Sequence, residues 1–527
     1  MGTLEPDLFR LDGSFYLTPD DVNSTDNLGW WSQTMSASDR SFVTEPTLTV
    51  LFDDMHSSLG ISLFFGTEEY SSDFEVTWYR SSAVMSQILV VANNSQEVSI
   101  NKPVENYNKI TIRFLKTKRP YRYVRLMSMV FGLEEIFDND SIISARVVEE
   151  VDPSASVLSI NTLSFTVLNQ NQRFNMLNPG GIYAYLQKRQ KIKARSGLLL
   201  EDGSYEFVSM GAYYLSDWKN STGLTASLEA TDVIGLLDKT TYSASPFWVN
   251  EPIINVLKHI LTDAGKFKLS ILPSVASEVV NGYIPVKSHR EALMDVLMSA
   301  RCVSKMDRNE TIVVGRIDYS QGVEEISFDT MLGNPTIEQK TLITAVQAND
   351  YTYALGATAT EINKSTMVLV GTQETVIDFG GAAKNVSVVV TGAGVIVGSP
   401  KISAVSAKVV ITGSGSLTIT VTGNVYTEFT RSVTLSAGVL SAGEIPQVAT
   451  LGDNKLMVGK AELVAQNLLD YYQKRIKQSF DYWDNPSIQA GDVVDVETIF
   501  SKFSSGVVER QEITFAPNLQ GRIEVTG

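Results

Sequence analysis

The chain has 527 residues, which at ~150 residues per domain sets a prior of roughly three to four domains, each able to bury its own core. Hydrophobic residues make up 43% and charged residues 19%, a composition that argues against disorder, and a formal net charge of -16 argues against a surface built to grip DNA or RNA with clustered Lys and Arg. The single cysteine, Cys302, and three dispersed histidines, His56, His259 and His289, leave neither a disulfide framework nor metal-ligand spacing, so no metal or cofactor is expected. No run reaches the ~18 apolar residues of a membrane span, and residues 1–10 lack the basic start and apolar stretch of a signal peptide.

Residues 1–138 read as all-β. Short apolar runs such as Leu48-Thr49-Val50-Leu51-Phe52 and Ile110-Thr111-Ile112-Arg113-Phe114 are separated by polar turns, and Phe74-Glu75-Val76-Thr77-Trp78-Tyr79 alternates as a half-buried strand should. Several such strands at short spacing predict a β-sandwich or jelly roll. The order TDNLGWWSQ from Thr25, PTLTVLF from Pro46, GISLFFG from Gly60, DFEVTWYRS from Asp73 and RYVRLMSMVFG from Arg122 resembles discoidin-type, galactose-binding-like domains of the coagulation-factor class. The matching positions are mostly framework, so the resemblance implies a fold more than a ligand.

A second composition begins at Ser141, after the acidic turn Asp138-Asn139-Asp140. Its alternation suits Ala145, Val147, Ile160, Leu163, Phe165 and Val167 to one face of long strands. Pro179-Gly180-Gly181 breaks the run, and Glu201-Asp202-Gly203-Ser204 reads as a hairpin turn within a β-rich unit over 141–240. An α+β unit over 250–325 follows. Its first helix starts at Pro252, carries Ile253, Val256, Leu257, Ile260 and Leu261 at helical spacing and stops at Gly265. Its second starts at Ser288, where Glu291 completes a capping box, and offers Leu293, Val296, Leu297 and Ala300 to the core. No Gly-rich loop joins a strand to a helix, which excludes a nucleotide-binding fold of that kind. Residues 366–445, rich in Val, Thr, Ser and Gly, read as a β-domain with turns at 392–394 and 413–415. A third helix is expected over 460–478, with Val464, Leu468, Tyr471 and Tyr472 on its apolar side, before two closing strands.

The segments SARVVEEVDPSASVLSINTLSFTVLN from Ser144, YYLSDW from Tyr213, SLEATDVIGLLDKTTY from Ser227, REALMDVLMSARC from Arg290, LLDYYQKR from Leu468 and IQAGDVVDVET from Ile488 resemble tail hub proteins of phages infecting Gram-positive bacteria. That family is related to contractile-tail baseplate hubs and the base of the VgrG spike. The resemblance implies a homotrimer in which each subunit supplies two β-barrels to a pseudo-sixfold ring: here 141–240, and 330–360 plus 455–527, with 366–445 as an insertion. Implied partners are the tail tube, distal-tail or other baseplate proteins and the tape-measure protein. The implied place is the virion tail or a phage-tail-like particle, after synthesis in the bacterial cytoplasm. Longer relatives carry a downstream peptidoglycan-cleaving or receptor-binding domain, and this chain stops soon after the second barrel, which argues against lytic activity. Three chains of -16 bring -48 to one ring, so DNA is expected to pass without specific binding.

The fold class is therefore mainly β and multidomain: an N-terminal jelly roll, two hub-type β-barrels, a small α+β insertion and a Thr/Val-rich β-domain. The expected role is structural, not enzymatic. A competing reading is a carbohydrate-binding adhesin recognising a cell-surface glycan, with Trp31, Trp78 and Tyr79 stacking on a sugar ring and Arg80 donating to its hydroxyls; beside it stands core packing of the same tryptophans, Trp30 included. A peptidoglycan hydrolase is the weakest reading. Glu68-Glu69, Glu134-Glu135 and Glu149-Glu150 are adjacent pairs, whose side chains point to opposite faces of a strand and cannot flank one bond. His289 and Cys302 lack a visible third partner, which leaves Cys302 as a small core residue, and Asp53-Asp54 alone cannot supply the oxygens calcium needs.

Overall fold

In the computed structural model, strands dominate wherever β-branched and aromatic residues alternate, and the chain divides into two units, Met1–Phe137 and Asp138–Gly527. The described residues are 29–66, 68–131, 137–169, 172, 174–175, 177–178, 189–201, 205–220, 224–265, 267–319, 322, 324–437, 445, 447–483, 485–500, 503–515 and 519–527. The proposed break at Pro179-Gly180-Gly181, the tip of the hairpin at 202–204, the pair Glu134-Glu135 and the residues Thr25 to Leu28 of the first motif lie outside them.

The first unit contains β1 (Trp30–Trp31), β2 (Thr47–Phe65), β3 (Ser71–Arg80), β4 (Ala83–Val90), β5 (Glu97–Thr117) and β6 (Arg125–Val130). They form one antiparallel sheet in the order β1-β6-β2-β5-β3-β4. Alternation on β3 buries Phe74, Val76 and Trp78 completely. β2 and β5 are long, and their pairing skips between Leu51 and His56, His56 and Ser58, and Ser58 and Gly60. Such bulges bend a strand. Ile61 and Leu63, beyond the bend, consequently share one core with Ile110, Ile112 and Phe114, before it. The Phe65 ring sits 5.8 Å from that of Phe74 and 6.1 Å from that of Phe114.

The second unit opens with β7 (Ile142–Glu150), β8 (Thr162–Leu168), β9 (Lys191–Leu199), β10 (Tyr205–Asn220), β11 (Thr225–Thr231) and the short helix α1 (Val233–Leu237), whose first turn is capped by Asp232. An α+β layer follows: β12 (Thr241–Tyr242), β13 (Trp248–Pro252), α2 (Ile253–Ala264), β14 (Lys268–Ile271), β15 (Val279–Gly282), β16 (Lys287–Ser288), α3 (His289–Ala300), β17 (Val303–Met306) and β18 (Thr311–Gly315). Helix α2 buries Ile253, Val256, Leu257, Ile260 and Leu261, and ends at Gly265. Helix α3 starts with the Ser288/Glu291 capping box and buries Leu293, Val296, Leu297 and Ala300 in the same core.

The rest comprises β19 (Glu324–Ile326), β20 (Thr336–Gln339), β21 (Ala345–Leu355), β22 (Thr360–Asp378), β23 (Ala383–Ile396), β24 (Lys401–Ile402), β25 (Ser406–Ser436), β26 (Val448–Thr450), α4 (Ala461–Tyr472), β27 (Ile476–Tyr482), β28 (Val493–Glu497), β29 (Phe503–Phe515) and β30 (Leu519–Thr526). The strands read as two separate barrels share one eleven-stranded sheet, β20-β27-β30-β29-β7-β8-β11-β10-β9, with β28 beside β29 and β19 beside β28. Within 330–360, only β20 joins it; β21 pairs along its whole length with β25, from Ala345↔Ser436 to Leu355↔Tyr426. The third helix ends at Tyr472 rather than 478, because from Ile476 burial alternates, with Gln478, Phe480 and Tyr482 inward, and β27 pairs with β20 and β30.

The glycines at 392–394 and 413–415 are not turns. They lie inside β23 and β25, where the pairing skips between Gly392 and Gly394. A Cβ on Gly413 would stand 2.0 Å from the Ala393 carbonyl oxygen, so only glycine permits this approach. Residues on both sides of the kink, Ile411 and Leu417 among them, share one core. Among the described residues no helix is long and apolar enough to cross a membrane.

Candidate assembly surface

The eleven-stranded sheet is closed in its middle and open at its ends. At the middle, β7 pairs with β29, from Arg146↔Thr514 to Glu150↔Arg510. Val147 and Val148 are both buried there, so strict alternation of inward and outward residues fails on this part of β7. The adjacent carboxylates part as strand geometry demands. Glu149 turns to Arg308, which donates from Nε at 2.8 Å and from Nη2 at 3.2 Å, both side chains being 6% exposed. Arg308 also donates to the carbonyls of Pro486 at 2.6 Å and Ile488 at 3.1 Å, so the buried pair is hydrogen-bonded on several sides. Glu150 takes Arg510 Nε at 2.9 Å, and Arg510 also meets Glu512 and Glu524. One arginine thus ties β7, the β17–β18 hairpin and the loop before β28 together. Sequence reading passed over Arg308, since an arginine in a polar turn gives no sign of burial.

At the ends, β9 and β20 each pair on one side only among the described residues. An unpaired edge presents a row of free backbone donors and acceptors. The β9 edge is basic: Lys191 pairs with Glu310, Arg195 lies over the Phe207 ring at 4.9 Å, and Lys193 is exposed. Its hairpin with β10 exposes Leu198 (66%), Leu199 and Phe207. The β20 edge is exposed at all four residues, with Ile337 at 62% and Glu338 beside it.

The four residues weighed for a glycan do not meet. Trp31 pairs with Arg125, whose guanidinium lies 5.0 Å from its ring, and stands edge-on to Tyr123 at 6.1 Å. The Arg125 backbone N–H donates to the Glu69 carbonyl, just before β3 begins. Trp78, Tyr79 and Arg80 end that strand, roughly 25–30 Å away at ~3.3 Å per residue. Trp78 is fully buried against the core, the Tyr79 ring carries Lys109 Nζ at 4.0 Å, and Arg80 Nε donates to the Asn106 carbonyl at 2.8 Å. Trp78 is thus held by packing and offers no face to a ligand. Trp30 stacks on Phe114 at 5.2 Å.

His289 and Cys302 flank opposite ends of α3, ~18 Å apart at 1.5 Å per residue, too far for a nucleophile and its base. His289 Nε2 lies 3.1 Å from Asp263 Oδ2; the Cys302 Sγ donates to the Ala300 carbonyl, and burial pushes its thiol up to about 12. The side chains of Asp53 and Asp54 lie outside the described residues. Among the described residues no group of three His, Cys, Asp or Glu could hold a metal ion.

No family model matches the chain, and no curated protein does. Solved structures that align with it include the tail protein of Neisseria meningitidis, 9% identical over 73% of this chain and 92% of that one, with a TM-score of 0.44. The 43 kDa prophage tail protein of Shewanella oneidensis is 10% identical over 72% and 93%, at 0.42. A prophage tail protein of Listeria monocytogenes is 10% identical over 86% and 94%, at 0.39. All three are tail proteins.

Proposed function

We propose that the chain is a structural hub of a phage tail or phage-tail-like particle, in which three copies close a ring that joins the sixfold tail tube to the tail tip. The observation that carries this reading is the pair of edges at the two ends of the β20-to-β9 run of the eleven-stranded sheet, the β9 edge basic and apolar, the β20 edge carrying Glu338 and Ile337. Edges of unlike charge favour head-to-tail pairing of copies, a heterologous contact that ends in a ring when the rotation closes. Partners in this reading are the tube, distal-tail or other baseplate proteins and the tape-measure protein, and the place of action is the virion tail. A net charge of -16 per subunit gives a lumen that lets DNA slide without adhesion.

Light scattering on the purified full chain, with negative-stain class averages of the same sample, tests it. The expected result is a mass three times 57.9 kDa and a ring with a central opening. A strict monomer at concentrations where subunits should associate, or a lumen mapped as basic, counts against it.

A further inference from the structure

Three cations in the second unit share one carboxylate. Glu278 Oε1 accepts from Arg301 Nη2 at 2.7 Å and from Arg316 Nη2 at 2.5 Å, while its Oε2 lies 3.3 Å from Lys460 Nζ. Lys460 Nζ also donates to the Val279 carbonyl at 2.5 Å. No other carboxylate among the described residues lies within ion-pair distance of these three side chains. The local formal charge is therefore positive by two, in a chain whose net charge is -16. Arg316 Nη2 reaches the Ala300 carbonyl at 3.5 Å, so the negative end of α3 takes up only part of this surplus. Burial pushes the Glu278 carboxyl up, but the Arg316 hydrogen bond and the charges of Lys460 and Arg301 outweigh it and hold it below the usual range.

Two further observations point outward from the cluster. Arg301 caps α3 in the left-handed region, φ 58° and ψ 41°, where glycine is at ease and a Cβ is strained. Its pairing with Glu278 offsets that strain, so the position holds an arginine against the preference of its backbone. Each guanidinium, moreover, spends only Nη2 on protein acceptors, leaving Nε and Nη1 of both without one among the described residues. Their side chains are 25% and 35% exposed, so these donors stay within reach of solutes.

We propose that Arg301, Arg316 and Lys460 form a receptor for a dianionic oxyanion of the phosphate class, with Glu278 holding the two guanidinium groups side by side. A tetrahedral dianion can accept from the single N–H donors that the protein leaves unused, at Nε and Nη1 of each arginine, and its charge cancels the surplus. The cluster draws on the ends of α3 and β18, the residue before β15 and the residue before α4, so an occupied site fastens α4 to the α+β layer.

The test is calorimetric titration of inorganic phosphate into the full chain at fixed ionic strength, with chloride as the balancing anion. Saturable binding at one site is expected, weakened about tenfold or more in Arg316→Gln and in Arg301→Gly, as loss of one charge-assisted partner implies. Arg301→Gly also relieves the strained backbone, so a variant that stays folded is in hand, and circular dichroism verifies it. A wild-type response no different from chloride, or wild-type affinity kept in both variants, overturns the proposal. Phenyl phosphate as a second titrant separates two sources of the same chemistry: equal affinity identifies a phosphoryl group carried on a larger molecule, and binding of inorganic phosphate alone identifies the free ion.

Discussion

Arg308 makes hydrogen bonds to three different residues at a place almost closed to water, and the energetics of buried ion pairs make its removal asymmetric. Arg308→Met strands the Glu149 carboxylate and is expected to destabilise the second unit by about 3–5 kcal/mol. Arg308→Met with Glu149→Leu should recover much of that loss, because two apolar side chains leave no charge unpaired. Urea midpoints of the three proteins read the difference, and a double variant no more stable than the single one would show that the backbone carbonyls of Pro486 and Ile488 matter more than the carboxylate. In the first unit, Trp78→Ala should cost about 3–5 kcal/mol, the range for emptying an aromatic core position. Arg80→Ala, at the exposed end of the strand, should stay within about 0.5 kcal/mol. The same denaturation series measures both, and near-equal effects would overturn the placement of Trp78 as framework.

Helices and strands draw their limits from different physics. The Ser288/Glu291 box satisfies two donors at the start of α3, so Ser288→Ala should lower stability by about 1 kcal/mol. The kink at Gly413 is stricter, since a methyl group there would meet the Ala393 carbonyl oxygen at 2.0 Å and backbone cannot step aside cheaply. Gly413→Ala should therefore open the β22–β23–β25 sheet, seen as proteolytic cleavage and faster hydrogen exchange within 360–436, while exchange in α2 and α3 stays slow. Uniform exchange across the second unit would mean that this sheet and the α+β layer unfold together.

The assembly reading makes a prediction that a single chain cannot satisfy. Lys193→Glu with Arg195→Glu places like charge on the β9 and β20 edges of the eleven-stranded sheet and is expected to leave monomers in light scattering. Adding Glu338→Lys to that variant reverses both edges and should restore the trimer. A wild-type trimer that survives the first variant would leave the ring standing and remove β9 and β20 as its seam; a wild-type monomer would remove the ring itself. These are surface side chains, so the subunit fold should be unchanged throughout, which circular dichroism verifies.

By itself, the sequence determined what depends on neighbours a few residues away. The spacing of Ile253, Val256, Leu257, Ile260 and Leu261 made α2 legible together with its stop at Gly265, Ser288 and Glu291 marked the start of α3, and alternation told which face of β3 and β8 is apolar. The mainly β, multidomain character followed from the same periodicities. Tertiary structure alone decided which strand lies beside which. Every strand offers the same backbone donors and acceptors, so alternation names a face and never a partner; hence β21 could be read beside β20, although it pairs with β25, and β7 could be read without β29. It also decided the meaning of residues whose role depends on what approaches them. Gly413 reads as a turn until the Ala393 carbonyl stands against it, and Arg308 reads as a solvated charge until Glu149 and two carbonyls enclose it. The reason in each case is that contact between segments well separated along the chain leaves no periodic trace in it.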